Sequence, residues 1–509
     1  MGRSSQIGEP MNASKKLMVA ASLLALTMSA ASAQSLRVGL QDDPDTLDPA
    51  TGGTYTGRIV FDALCDKLVD IDANLEIVPQ LATEWSWNDD NTELTMSLRD
   101  DVTFHDGTPF NAEAVAFNIE RMQTLEDSRR SSELSPIASA EVVDEYTVIL
   151  KLDAPFAPLL SVLSDRAGMM VSPEAAQGEG EFSAAPVCSG PYQFVDRSAR
   201  DSITLEKYDG YWNADEIGYE EIEYQIIPDS TVRLSRLQAG DLDVAERVAP
   251  TDLETVRNDA DLELHTAPGL AVSHLFVNVG EDGGILADSP QLREALELSI
   301  DRNAINQVAF NGEFTADNQM IPPSSIYYSS EHPMPERDAE AARALIEESG
   351  ETNPAIEITY ENSLTDGRVA QILQQMIQEA GFTVELLPLE TSSAIERYLA
   401  GNFELYIGNW SGRADPDPTL YTFFGSDGSQ NLNGYVSEEL DEVLIAARQE
   451  LDTEARQALY TEAAEIYLTD RPTIPLYHPT WFYGARAEVE GIDIYPDGIL
   501  RVTGVKPAE

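Results

Sequence analysis

From Ile356 to Ile407 the chain runs twice through one alternation, which restricts its fold more than any other feature. Ile356–Tyr360 is a short apolar run with strand character. Val369, Ile372, Leu373, Met376, Ile377 and Ala380 then recur at helical spacing, and Gly381 supplies a stop. Phe382–Leu387 reads as a second strand, Ser393 with Glu396 as the capping box of a second helix, and Phe403–Ile407 as a third strand. Strands and helices in this order predict a parallel sheet built from right-handed crossovers. Ligands of open α/β sheets bind at the carboxyl ends of such strands.

The loop predicted there is Gly408–Pro418. It holds an indole (Trp410), flanking glycines (Gly408 and Gly412), a guanidinium (Arg413) and two carboxylates (Asp415 and Asp417). The steps Asp415-Pro416 and Asp417-Pro418 bias the residues before them away from helix and stiffen the segment. Two readings fit this composition: a ligand loop, or a packed turn whose charges face water.

Lys15-Lys16, the apolar run Leu17–Ala31 and the sequence Ala31-Ser32-Ala33 have the form of a secretory signal, with cleavage expected after Ala33 and Met11 as its natural start. No later stretch reaches membrane-spanning length. The chain has 32 basic and 89 acidic residues, a formal net charge of −57. Loss of residues 1–33 removes three cations and one carboxylate and takes this to −59. Such a surface excludes nucleic acid and anionic lipid as partners and favours solubility. At 509 residues with 42% hydrophobic content the chain can bury more than one core, and two lobes are expected. The two cysteines, Cys65 and Cys188, predict one disulfide in an oxidising compartment, with two buried thiols as the alternative.

Leu36–Leu40 alternates as a strand, and Gly52-Gly53-Thr54-Tyr55 offers backbone amides beside a hydroxyl and a phenol, as a ligand contact or as a simple turn. Phe61–Leu68 is helical in pattern, Leu94–Arg99 strand-like, and Asn111 is placed to cap a helix through Val115, Asn118, Ile119 and Met122. Asp288-Ser289-Pro290 starts another helix, with Pro290 in its first turn. His105, in an Asp-Gly turn, reads as structural. The passages between lobes are expected near Pro268–Phe276 and Pro475–Ala485.

Leu81–Arg121, Val187–Tyr192, Tyr208–Trp212, Leu237–Asp243, Leu292–Arg302 and Pro475-Leu476-Tyr477 together resemble the extracytoplasmic solute-binding proteins of family 5, the oligopeptide, dipeptide and nickel group that serves ABC importers. The resemblance implies an α/β, two-lobed periplasmic binding protein fold (type II, cluster C-like) with an extra subdomain in the first lobe. It implies lobe I at 34–272 with the subdomain at about 75–190, lobe II at 273–483, and a return to lobe I at 484–509. In peptide-binding relatives an acidic residue follows the tryptophan motif and pairs with the peptide amino terminus. Here the motif is Trp410-Ser411-Gly412 and Arg413 takes the acidic position. A guanidinium binds carboxylate or phosphate rather than ammonium. Asp415 either replaces the missing anion or caps the turn. By position Ser164–Met170 resembles a cleft-facing strand, where Arg166 pairs with Asp165 or lines the pocket. Tyr55, Tyr360 and Asn362 complete the expected ligand set. If Arg166 and Arg413 face the cleft from opposite lobes, an acidic ligand bridges them and favours closure.

The function this implies is the periplasmic substrate-binding component of an ABC importer, a monomer working with permease subunits and needing no cofactor or metal. The alternatives are a secreted hydrolase, or a chaperone or sensor on the same fold. Gly-x-Ser-x-Gly, His-Glu-x-x-His and Cys-x-x-Cys are all absent from the sequence, and the five histidines are scattered.

Overall fold

The computed structural model describes residues 1–2, 35–178 and 180–508. The predicted signal segment and its cleavage site lie outside these residues. Among the described residues no helix is long and apolar enough to cross a membrane.

Two large sheets organise the chain. One has seven strands, in the order Leu262–Pro268, Thr480–Arg486, Val244–Ala245, Ser35–Leu40, Glu221–Ile226, Ser202–Lys207 and Tyr192–Ser198. The other has six, in the order Thr315–Ala316, Thr473–His478, Val272–Val277, Leu405–Trp410, Ala355–Glu361 and Thr383–Leu389. Each sheet has its own buried cluster: Leu36, Val38, Ile222 and Tyr224 in the first, and Leu275, Ile358, Leu373 and Leu405 in the second. Each such side chain removed from water contributes about 1.5–3 kcal/mol.

The predicted alternation is present. Ala355–Glu361 pairs in parallel with both Thr383–Leu389 and Leu405–Trp410. The helix Leu364–Glu379 buries Val369, Ala370, Leu373 and Ile377, and Gly381 follows its end with φ +110°. Three local boundaries differ from the sequence reading. The third strand starts at Leu405, not Phe403, because its neighbour Val272–Val277 pairs only with 405–410. The second helix runs Thr391–Leu399 directly after the preceding strand, with Glu390 at its cap, so Ser393 lies inside it and forms no capping box. The first helix is Tyr55–Leu64, capped by the Thr54 hydroxyl, which accepts from the Gly57 amide. The Asn111 and Ser289 caps are as expected, accepting from Ala114 N and Leu292 N.

A smaller antiparallel sheet of Ala82–Trp87, Glu93–Leu98, Thr147–Leu152 and Ile137–Asp144 has a core of its own with the helix Ala112–Thr124. Cys65 and Cys188, which bracket it in sequence, form a disulfide. His105 sits beside the bridge, accepting from Cys188 N through Nδ1 and pairing through Nε2 with Gly190 O at 3.0 Å.

The chain passes between the large sheets twice: over residues 269–271, and at Pro479. The two passages are tied together. Gly269 N donates to Pro479 O at 3.1 Å, and His478 Nδ1 donates to Ala271 O at 2.8 Å. Two adjacent backbone segments of this kind are the form a hinge takes.

Candidate ligand-binding cleft

Leu405–Trp410 lies against Val272–Val277 with Trp410 opposite Val272, so the chain leaves the strand beside the first passage between sheets. Gly412 makes this approach possible. Its φ is +71°, and a Cβ there would fall 2.1 Å from Leu270 O. Only glycine fits both demands. Trp410 is anchored: Nε1 donates to Thr419 Oγ1 at 3.0 Å, and its ring meets Phe423 edge-on at 5.2 Å. The predicted stiff loop is shorter than expected, since Asp417–Phe424 is a helix with Pro418 in its first turn.

Arg413 lies over the Trp410 ring at 4.7 Å. Its Nη1 donates to Gly412 O at 2.6 Å and to Ser411 Oγ at 3.1 Å, which directs Nε away from the loop. Nε reaches Asp165 Oδ2, on the opposite side of the cleft, at 3.0 Å. The Arg413 side chain is only 10% exposed.

Asp165 is not on a strand. It follows the short helix Leu159–Leu163 and precedes a tight turn, Arg166–Gly168, folded so closely that a Cβ on Gly168 would strike Leu163 O. That close return is why the predicted strand over Ser164–Met170 does not form. Three more guanidiniums gather here. Arg58 Nε donates to Asp165 Oδ1 at 3.1 Å. Arg166 Nε lies 3.8 Å from the same oxygen, while its Nη1 donates to Gly52 O at 2.8 Å. Arg130 is paired with Glu133 at 2.6 Å. Arg58, Arg130 and Arg166 are all buried. Burial pushes the Asp165 carboxyl up, but Arg58, Arg413, Arg166 and Arg130 outweigh it and hold the group well below the usual carboxylate range. Burial and the neighbouring cations lower Arg166 well below the usual guanidinium value. Burial likewise lowers Arg413 to about 10, against the attraction of Asp165.

The other expected site residues fall elsewhere. Asp415 is a turn and core residue: Oδ1 accepts from Asp417 N at 2.9 Å and from Arg456 Nη2 at 2.7 Å, and Oδ2 accepts from Arg456 Nη1. Both oxygens are engaged inside the second half, so Asp415 is not a free anion for a ligand amine. Gly52-Gly53 is a turn, with Gly53 N donating to Asp45 and Gly52 N to Asp48 O. Tyr55 stacks on Trp481 at 4.8 Å, donates its hydroxyl to Gly498 O and lies under Arg247. Tyr360 packs in the core of the six-stranded sheet. Asn362, exposed at the end of the same strand, donates its backbone N–H to Leu389 O. Neither belongs to the arginine group. A small recess beside Arg413 is walled by Leu270, Met320, Ile321, Pro322 and Pro416. Among the described residues no cluster has the composition of a metal site.

Arg58, Arg130 and the central role of Asp165 escaped the sequence reading. One signal was available: Arg58 interrupts the otherwise apolar face of Tyr55–Leu64. A cation placed there is buried by the packing of its own helix.

Residues 76–431 match the family described as bacterial extracellular solute-binding proteins, family 5, middle. The glutathione-binding protein GsiB of Salmonella typhi is 28% identical over 482 residues, covering 92% of this chain and 93% of its own. The periplasmic binding protein DppA of Helicobacter pylori, solved with the peptide STSA, superposes with a TM-score of 0.84 at 24% identity, over 93% of this chain and 98% of its own. AgaA of A. tumefaciens R10, solved with agropinic acid, also gives 0.84 at 24% identity, over 93% and 99%. Two sheets joined by paired passages, an added antiparallel subdomain and a match over most of the sequence lead to one conclusion: the chain belongs to the bacterial extracellular solute-binding proteins of family 5.

Proposed function

We propose that this protein captures a small acidic solute, a peptide or peptide-like amino-acid derivative, by hinge closure in the periplasm and delivers it to the permease of an ABC importer. The observation that carries the ligand class is the convergence of Arg413, from one half, on the buried arginines of the other. Guanidiniums recognise carboxylates bidentately, and in a desolvated cleft that recognition is strong. The curated relative binds glutathione and one structural relative holds agropinic acid, both acidic, which supports the same reading.

In this reading the moving halves are the described residues of 35–268 with 480–508, and residues 272–478, hinged on 269–271 and Pro479. Each boundary falls a few residues before the one the family pattern implied. Capture involves no bond making. The ligand shifts the open–closed balance by touching both halves only in the closed form. The protein acts as a monomer, exported by its signal segment, and Trp410, Gly412 and Arg413 form one jaw. The hydrolase alternative is not favoured, because the matching family and the relatives are solute-binding proteins.

Thermal-shift and calorimetric titration with acidic and neutral di- and tripeptides tests this reading. Saturable binding of acidic members without turnover is expected. Hydrolysis of a bound peptide would overturn it.

A further inference from the structure

We infer that Arg448 is a positioning residue for solute capture: the end of its helix latches the two halves together in the closed form, and so sets how long a ligand is held without bonding to it. This rests on the binding-protein reading and deepens it.

The latch begins with a helix end. The last carbonyls of any α-helix lack partners within it. In the helix Glu438–Gln449 three of these are filled in turn: Ala446 O accepts from Glu450 N, Ala447 O from Arg456 Nε at 2.8 Å, and Arg448 O from Ala157 N at 2.7 Å. The first two donors belong to the same half as the helix. Ala157 belongs to the other. It lies between Pro155 and Pro158, which have no N–H to offer, just before the helix Leu159–Leu163. An amide of the first half thus completes a helix of the second.

The Arg448 side chain makes a second, independent bridge. Its guanidinium lies 3.5 Å from the centre of the Tyr421 ring, in its own half, and 5.2 Å from that of Phe156, in the other. Nε is 2.9 Å from Asp417 Oδ1. Phe156 packs in the core of the antiparallel subdomain and is 5% exposed. Asp417 is buried too, and its N–H donates to Asp415 Oδ1 at 2.9 Å, in the loop that carries Arg413. Parting the halves takes Arg448 off the Phe156 ring and leaves its carbonyl and the Ala157 amide to water. Contacts made in one state only shift the balance toward that state, whatever the cleft contains.

This latch differs from the contact of Arg413 with Asp165. Arg413 is the proposed partner of an acidic ligand, so its loss acts on acidic ligands selectively. Arg448 is engaged by Asp417, Tyr421 and Phe156, so its loss acts on all ligands alike.

The test uses the whole protein in three forms. One is the parent. The second is Arg448→Met, which keeps the side-chain stem and removes the charge. The third adds Asp417→Asn, which removes the carboxylate otherwise left buried without its cation. Small-angle scattering of the empty protein should give a larger radius of gyration in both variants. Stopped-flow kinetics with the dipeptide Ala-Glu and its C-terminal amide as probes should show dissociation about 10-fold faster for each, at nearly unchanged association. The ratio of the two affinities should stay that of the parent. Arg448→Lys should restore part of the slow dissociation, since it keeps a cation on the Phe156 ring. A merely structural role would lower the Tm and leave the radius and dissociation rate of the folded protein as in the parent. Unchanged radius and dissociation would overturn the latch and leave solute binding intact. A changed ratio between the probes would also overturn it, by making Arg448 a ligand contact. Failure of both probes to bind the parent would count against the proposed ligand class, and the radius of the empty variants would then decide the latch alone.

Discussion

Arg413 Nε and Asp165 Oδ2 stand 3.0 Å apart across the interlobe cleft. Arg413 extends from the end of the strand Leu405–Trp410 in the six-stranded sheet, and Asp165 sits among residues packed on the other half. Under the proposed function this pair is the contact that closure would make. Arg58 Nε also donates to Asp165, to Oδ1 at 3.1 Å, so Arg413 is not the carboxylate's only partner.

Arg413→Ala should open the empty protein and abolish tight ligand binding. Losing one partner of a desolvated charge pair costs about 2–5 kcal/mol, or roughly 30-fold or more in affinity. Asp165 keeps Arg58, so the empty variant should melt within a few degrees of the parent. Small-angle scattering should give a larger radius of gyration without ligand. An unchanged radius together with unchanged affinity would remove Arg413 from the closing contact.

Trp410→Ala should lose both stability and binding. The indole is half-buried, bonded to Thr419 and packed on Phe423, and it carries the Arg413 guanidinium on its face. A destabilisation of about 2–4 kcal/mol is expected, somewhat below the cost for a fully buried indole. Denaturant unfolding measures it, and calorimetry should show the binding loss in the folded fraction.

Asp415→Asn should act on stability first. The change leaves the Arg456 guanidinium buried without its bidentate partner. Breaking such a pair costs about 3–5 kcal/mol. The folded variant should still bind, because Asp415 faces Arg456 and not the arginine group around Asp165. Selective loss of binding at unchanged stability would instead make Asp415 a ligand contact.

Cys65→Ser, or reduction of the bridge, should lower stability by about 2–5 kcal/mol. The bridge closes a loop of 123 residues around the antiparallel subdomain. Thermal melts with and without reductant measure the effect, and the Cys65→Ser variant should lose its sensitivity to reductant.

His105 should stay neutral to unusually low pH. Burial lowers its imidazole to about 4, with only a partial offset from Gly190 O. Between about pH 6.5 and 4 the unfolded chain binds a proton that the folded chain refuses, so this contribution to stability is lost as pH falls. The stability advantage of the parent over His105→Gln should shrink across that window. NMR titration of the His105 ring should show its midpoint near 4; a midpoint near 6.5 would contradict the burial argument.

The amino-acid sequence determined what repeats locally. Hydrophobic period fixed the strand–helix alternation between residues 355 and 410 and the parallel pairing that follows. Side-chain chemistry fixed the caps at Asn111 and Ser289, and two cysteines allowed one bridge. Trp410 and Arg413 stood out because a strand end framed them. Tertiary structure decided which charges meet. Asp165, Arg58 and Arg130 have no periodicity that links them to Arg413, and their sequence neighbours are ordinary helix and turn residues. Asp415 and Arg413 look alike in sequence, two charges in one short loop. One is turned inward onto Arg456 and the other outward onto Asp165. The backbone direction after Gly412 makes that choice, and it is set by the close approach to Leu270. Charge pairing depends on distances of a few ångströms between distant segments, which only the packed sheets and their hinge supply.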